Sequence, residues 1–280
     1  MTHLHLGLIG DNIAKSRAPL LHTLAGRQNG VAVTYDRLIP RERGIEFDQL
    51  FADCAAGDYR GLNITYPYKE RAAKKVRVED PLVRAIGAVN TVIFAPEGAQ
   101  GHNTDYSGFM AGYRLVRGDA SPGPTLMIGT GGVGRAVAFG LVALGTPEIR
   151  LVDRDLLKAE ALADDLHRAA PQIAVSTHAD AAGAAPGASG IINCTPVGMV
   201  GYEGTPIPAT SLRGAEWVFD AVYTPVDTQF LEDAGAAGLT VVSGYELFFF
   251  QGVHAWSLFS GLPLDQDALR AELAATSEVI

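Results

Sequence analysis

Lys69 follows Asn63-Ile64-Thr65-Tyr66-Pro67-Tyr68, read as the end of a strand, with Asn63 and Thr65 on one face by the two-residue period of extended chain. Further along, Asn90-Thr91 closes the turn after Gly87-Ala88-Val89, and His102-Asn103-Thr104-Asp105 comes immediately after Gly101. Amides, hydroxyls, an amine and a carboxylate at such places contribute little to a core. They suit a polar cleft that orients a hydroxylated molecule. A lysine beside a carboxylate in a partly closed cleft can exchange a proton with a reacting hydroxyl. From the residues alone two readings stay open. Lys69 is an acid/base with Asp105 as its partner, or Lys69 is a surface lysine and Asp105 caps the next helix.

A second constellation is Gly129-Thr130-Gly131-Gly132-Val133-Gly134, between the apolar run Thr125-Leu126-Met127-Ile128 and the helical pattern from Arg135. Strand, glycine turn and helix follow one another as a dinucleotide site requires. Gly129 permits the tight turn, Gly131 lets backbone approach a pyrophosphate, and Gly134 lets helix and strand pack closely. The next strand, Ile149-Arg150-Leu151-Val152, ends at Asp153. That is about twenty residues on, where a ribose-binding carboxylate belongs.

These groups need elements to position them. Strands are expected over 4–10, 31–38, 61–65 and 88–94, helices over 18–29 and 47–56, and a turn over 98–101. Alternating strands and helices imply a mainly parallel sheet in this first part. A helix over 109–116 leads to Gly118-Asp119-Ala120-Ser121-Pro122-Gly123-Pro124, the clearest linker. Beyond it, strands at 125–128, 149–152, 173–176, 190–194, 217–220 and 240–242, with crossover helices at 156–169 and 228–237, make a doubly wound sheet. The last helices, 246–260 and 265–275, need a partner surface and are long enough to return to the first domain. The expected division is residues 1–108, 109–243 and 244–280.

Composition narrows the partners. The chain has 280 residues and a net charge of −9 without a basic stripe, which leaves no footing for nucleic acid. No apolar stretch is long and uninterrupted enough to span a bilayer, and the N-terminus lacks a signal-like pattern. The two cysteines, Cys54 and Cys194, lie far apart, so neither a disulfide scaffold nor a metal site is expected, and the cytoplasm is the natural compartment. His3 and His5 read as the wet face of a first strand, His22 as a helix or capping contact, and Phe248-Phe249-Phe250 as packing.

The chain resembles the shikimate dehydrogenase family, nearest its quinate/shikimate branch. The resemblance rests on Ser16-Arg17-Ala18-Pro19-Leu20-Leu21-His22, Gly61 through Lys69, Gly87-Ala88-Val89-Asn90-Thr91 and Gly101 through Asp105. It continues through the glycine loop, Asn193-Cys194-Thr195-Pro196-Val197-Gly198-Met199, Asp220-Ala221-Val222-Tyr223-Thr224-Pro225 and Gly244 through Gln251, in the family's order. It implies an N-terminal α/β substrate domain, a doubly wound Rossmann domain, and C-terminal helices returning to the first.

The implied reaction is reversible hydride transfer between a nicotinamide and the C3 hydroxyl of a cyclic hydroxy acid, within the shikimate pathway of aromatic amino acid biosynthesis. Lys69 would be the acid/base and Asp105 its partner and a substrate ligand. Asn90 and Gln251 would hold ring hydroxyls, and Ser16 and Thr65 the carboxylate. Gly129, Gly131, Gly132, Val133, Gly134, Asp153 and Arg154 would hold the nucleotide, with Tyr223 and Gly244 near the nicotinamide. Where NADP-using members carry an Asn-Arg-Thr type segment, this chain has Asp153-Arg154-Asp155, which implies NAD, with NADP disfavoured. Ala18 replaces a family hydroxyl at the carboxylate end. That leaves room for another cyclic acid, such as an aminoshikimate-type compound. The rival of another class is a nucleotide-binding regulator without turnover. A monomer or homodimer acting on a small molecule is expected.

Overall fold

The computed structural model describes residues 3–277, which divide into two compact units. The first contains the chain up to Thr104 and again from Gln251 onward; the second is Asp105–Phe250. The expected boundary at 108 falls within helix Thr104–Arg117 and that at 243 immediately before helix Gly244–Ser260, so both differ from this division. Thr104–Arg117 begins five residues before the helical pattern was expected, and Gly244–Ser260 contributes its first residues to the second unit.

The first unit is built on a five-stranded sheet of β1 (His3–Ile9), β2 (Ala32–Leu38), β3 (Gly61–Ile64), β4 (Thr91–Ala95) and β5 (Gly98–His102), in the order β2-β1-β3-β4-β5. β1 pairs parallel with β2 and β3, whereas β4 runs antiparallel to β3 and to β5. The expected turn over 98–101 is therefore a strand. β4 starts later than expected because 88–90 bend to bring Asn90 beside His102, whose carbonyl accepts from Asn90 N at 3.1 Å. Helix Ala18–Gln28 opens with proline, whose fixed φ suits a first turn, and packs against β2 and against the late helix Gln266–Ser277. On the other face Phe47, Leu50 and Phe51 of helix Phe47–Ala56 join Leu62, Ile64 and Tyr68, with Phe47 stacked on Tyr68 at 4.7 Å.

The second unit carries six parallel strands: β6 (Thr125–Ile128), β7 (Glu148–Val152), β8 (Ala174–His178), β9 (Gly190–Asn193), β10 (Trp217–Asp220) and β11 (Thr240–Val242). Their order, β11-β10-β9-β6-β7-β8, reverses between β6 and β9. In an open α/β sheet that reversal opens a crevice beyond the carboxyl ends of the strands, where ligands bind. Strands covered on both faces read as continuous apolar runs, as Leu126, Met127, Ile191, Ile192, Val218 and Phe219 do here. Among the described residues no helix is long and apolar enough to cross a membrane.

Candidate active site

In the first unit the site forms where β1 and β3 end. Ile9 and Ile64 are register partners, so the Gly10–Ser16 loop and Thr65 leave the sheet together. Thr65 N donates to Ile9 O at 2.9 Å, and Asp11 N donates to Tyr66 O at 3.2 Å. Pro67 lacks the donor that continued pairing needs. The chain instead turns, Tyr68 N donating to Thr65 O at 2.9 Å, and Lys69 opens the helix Lys69–Ala73 rather than ending a strand as its sequence suggested. Its carbonyl accepts from Val89 N at 3.1 Å, and only 7 % of the residue is exposed. A surface position for Lys69 is thereby excluded.

Val89 leads straight to Asn90, which is buried. Asn90 Oδ1 accepts from Thr104 N at 2.7 Å and from Thr91 Oγ1 at 3.1 Å, which fixes the amide's orientation. Its Nδ2 then reaches Gln251 Oε1 at 3.4 Å, joining residues 161 apart in sequence. Asn63 serves this scaffold. Its Oδ1 accepts from the Tyr35 hydroxyl at 2.8 Å, and its Nδ2 donates to Thr91 Oγ1 at 3.1 Å. Asn103 Nδ2 donates to Ala88 O at 2.9 Å. His22 is a core residue rather than a cap, stacked on Tyr35 at 5.1 Å and beside Phe259; burial drives its pKa down to about 3 against the opposing effect of a hydrogen bond to Asn63.

In the loop after β1 Ser16 is half-buried, and its Oγ accepts from Ala18 N at 3.3 Å. The Arg17 guanidinium is turned away, donating to the Leu273 carbonyl of the late helix. Arg37 donates to Ser16 O at 2.7 Å. Ala18 is buried, and its methyl offers nothing where a hydroxyl would donate.

In the second unit Asp105 lies buried in the first turn of helix Thr104–Arg117. The glycine loop joins β6 to helix Gly132–Ala143. Gly129 has φ +96, and a Cβ there would lie 2.8 Å from the Cys194 carbonyl; a Cβ on Gly134 would lie 2.1 Å from Gly129 O. Neither position admits a side chain. Gly131 faces open space, with nothing within 4 Å of a Cβ, and the helix start has no side-chain cap. Gly132 and Val133 are the helix's first residues, so unsatisfied N–H groups point where a phosphate would sit. These residues fit a dinucleotide.

Asp153 closes that loop. Its Oδ2 accepts from Thr130 N at 2.7 Å and Thr130 Oγ1 at 2.8 Å, and its Oδ1 accepts from Asp155 N at 2.9 Å. Burial pushes its pKa up, but these bonds outweigh burial and hold it below the usual carboxylate value, so a negative charge sits beside the glycine loop. Arg154 beside it is exposed. Tyr223 stacks on Phe248 at 4.9 Å. Gly244 starts its helix so close to the same loop that a Cβ would lie 2.4 Å from Val222 O. Thr130, Thr91 and the buried Asn193, Asp220 and Thr228 were not singled out as site residues from sequence. Among the described residues no cluster of three or more His, Cys, Asp or Glu is arranged to hold a metal.

The model of the shikimate dehydrogenase substrate binding domain matches residues 8–92. The chain is 38 % identical over 273 residues to a quinate/shikimate dehydrogenase (NAD(+)) of Corynebacterium efficiens, covering 95 % of this chain and 96 % of that protein. The quinate dehydrogenase of Corynebacterium glutamicum, solved in complex with NAD, superposes with a TM-score of 0.90 at 34 % identity, over 99 % of this chain and all 100 % of the other. The Thermus thermophilus shikimate 5-dehydrogenase, solved with NADP(H) and shikimate, gives 0.84 at 30 % identity, over 97 % and 99 % of the two chains.

Proposed function

The chain belongs to the shikimate dehydrogenase family of NAD(P)-dependent oxidoreductases, and on that premise we propose that it moves a hydride reversibly between NAD and the C3 hydroxyl of a shikimate- or quinate-type acid. The observation that carries this reading is the convergence of a buried lysine, the Asn90–Gln251 amide pair and the Ser16 and Thr65 loops in one unit. NAD supplies the hydride acceptor when bound. Lys69 Nζ takes the C3 hydroxyl proton as the hydride leaves, and returns it in the reverse direction. Asn90 and Gln251 orient the ring hydroxyls, Ser16 and Thr65 hold the carboxylate, and this alignment supplies much of the rate that hydride transfer needs. The glycine loop with Asp153 holds the adenosine half of the cofactor, and Tyr223 and Gly244 border the nicotinamide.

Asp153 supports NAD over NADP, since a carboxylate accepts ribose hydroxyls and repels a phosphate. The two cysteines, both free thiols, support a cytoplasmic enzyme, working as a monomer or homodimer on a small molecule. A second reading concerns the acid. Ala18 lacks a donor and Arg17 is engaged elsewhere, which favours a substrate whose carboxyl end sits differently, such as an aminoshikimate-type compound. The deciding experiment follows nicotinamide absorbance with shikimate, quinate and aminoshikimate, each with NAD and NADP. We expect turnover on at least one acid, faster with NAD. Binding of NAD without turnover on any of them makes the protein a nucleotide-binding regulator instead.

A further inference from the structure

Asp220 is an ionisable side chain that the proposed chemistry does not use, and it is fully buried at the carboxyl end of β10. It stands in register with Asn193 of β9, which is in register with Ile128 of β6, so the three end one row at the crevice. Its Oδ1 accepts from Asn193 Nδ2 at 2.9 Å and from Val222 N at 3.0 Å, and its Oδ2 accepts from Thr228 Oγ1 at 2.6 Å.

Each partner can only donate. Asn193 Oδ1 is taken by Thr195 N at 3.0 Å and Thr195 Oγ1 at 2.6 Å, so its amide nitrogen must face Asp220. The same nitrogen donates to Val197 O at 3.0 Å. Thr228 Oγ1 caps the helix Gln229–Ala236 by accepting from Leu231 N at 3.3 Å, which aims its proton at Asp220. Three donors therefore converge on one carboxylate, an arrangement that favours the ionised form. Burial raises its pKa to about 6 against the bonds from Thr228, Val222 and Asn193, which leaves it ionised at neutral pH.

The segments it ties border the cofactor loop. Thr195 and Cys194 lie against Gly129, where a Cβ would meet the Cys194 carbonyl at 2.8 Å and Thr195 Cγ2 at 2.9 Å. Val222 precedes Tyr223, and the backbone carbonyls of Val222 and Asp220 close on Gly244. We propose that Asp220 is a positioning residue for the cofactor site, holding the 194–197 and 221–228 loops in one arrangement through Asn193 and Thr228. This rests on the reading that the nicotinamide binds beside Tyr223 and Gly244.

The test compares Asp220→Asn, Thr228→Val and Thr228→Ser with the unaltered enzyme, in NAD calorimetry and in steady-state kinetics. Asp220→Asn turns one acceptor into a donor facing donors, and should raise the NAD Kd and KM about tenfold, the worth of one charge-assisted bond. The KM for the acid, bound in the other unit, should stay within about twofold. Thr228→Val should act in the same direction, and Thr228→Ser, which keeps the hydroxyl, should not. Should Asp220→Asn fail to fold, the Thr228 pair decides. Unchanged NAD binding in the folded variants, equal changes in both KM values, or a serine variant as poor as valine overturns the proposal. Should the unaltered protein bind no NAD, the functional reading falls first and takes this one with it.

Discussion

Three of the proposed roles can each be tried with a single substitution. Lys69 is held by its backbone to Val89 and has 7 % of its surface exposed. Lys69→Ala should lower kcat by about 10²–10⁴-fold, the usual worth of an acid/base, and leave NAD affinity unchanged in calorimetry. Asp153 anchors Thr130 and, in the proposed reading, also bears the charge that meets the ribose. Asp153→Asn keeps an oxygen for Thr130 N and removes the charge. It should narrow the kcat/KM preference for NAD over NADP by about tenfold, whereas equal efficiency with both cofactors in the unaltered enzyme would contradict the role. At Ala18 the missing donor is worth roughly 1.5–3 kcal/mol, on the order of tenfold to a hundredfold in affinity. Ala18→Ser should lower the shikimate KM by that factor and leave the NAD KM alone. No change would make Ala18 simple loop packing.

Between neighbouring elements the first unit carries a pH-sensitive clasp. His5 of β1 bonds Asp36 Oδ2 of β2 at 2.9 Å and Asp58 Oδ1 before β3 at 2.8 Å, and stacks on Tyr59 at 3.9 Å. Partial burial would lower its pKa, but the two carboxylates outweigh that and raise it above 6.5. A raised histidine stabilises the fold fully below its unfolded value and loses that contribution as pH rises through its folded value. Denaturant midpoints should therefore fall from pH 6 to pH 8 in the unaltered protein and stay flatter in His5→Asn; parallel curves would remove the clasp. Neither carboxylate could be assigned to His5 from sequence, because register alone brings them together. The same limit hid β5. Gly98-Ala99-Gln100-Gly101 has two glycines and no β-branched residue, so it reads as a turn, and only pairing along β4 makes it a strand. Lys69–Ala73 is too short for a helical period to show. The nucleotide strands were legible because burial on both faces leaves uninterrupted apolar runs, and the glycine loop because Gly129 and Gly134 have no room for a side chain. Asp220, Asn193 and Thr228 lie 27 and 8 residues apart and meet only across the sheet.

At the scale of the whole molecule the first unit is discontinuous in sequence. The need for a partner surface marked the late helices as returning to it, but not where the division falls, since Gly244–Ser260 is continuous across it. Leu269 and Leu273 are fully buried on helix Gln266–Ser277, which packs on Ala18–Gln28, the helix that follows Ser16. Leu269→Ala should cost about 2–5 kcal/mol in chemical unfolding, as other buried leucines do. It should raise the acid KM more than the NAD KM; the reverse ranking would mean the late helix does not support the acid site. Discontinuity also sets an order of assembly on the ribosome. Units fold as they emerge, amino-terminal first. Gln251 leaves the ribosome only after all of Asp105–Phe250, so the early strands must wait for their amide partner while the nucleotide unit is already made.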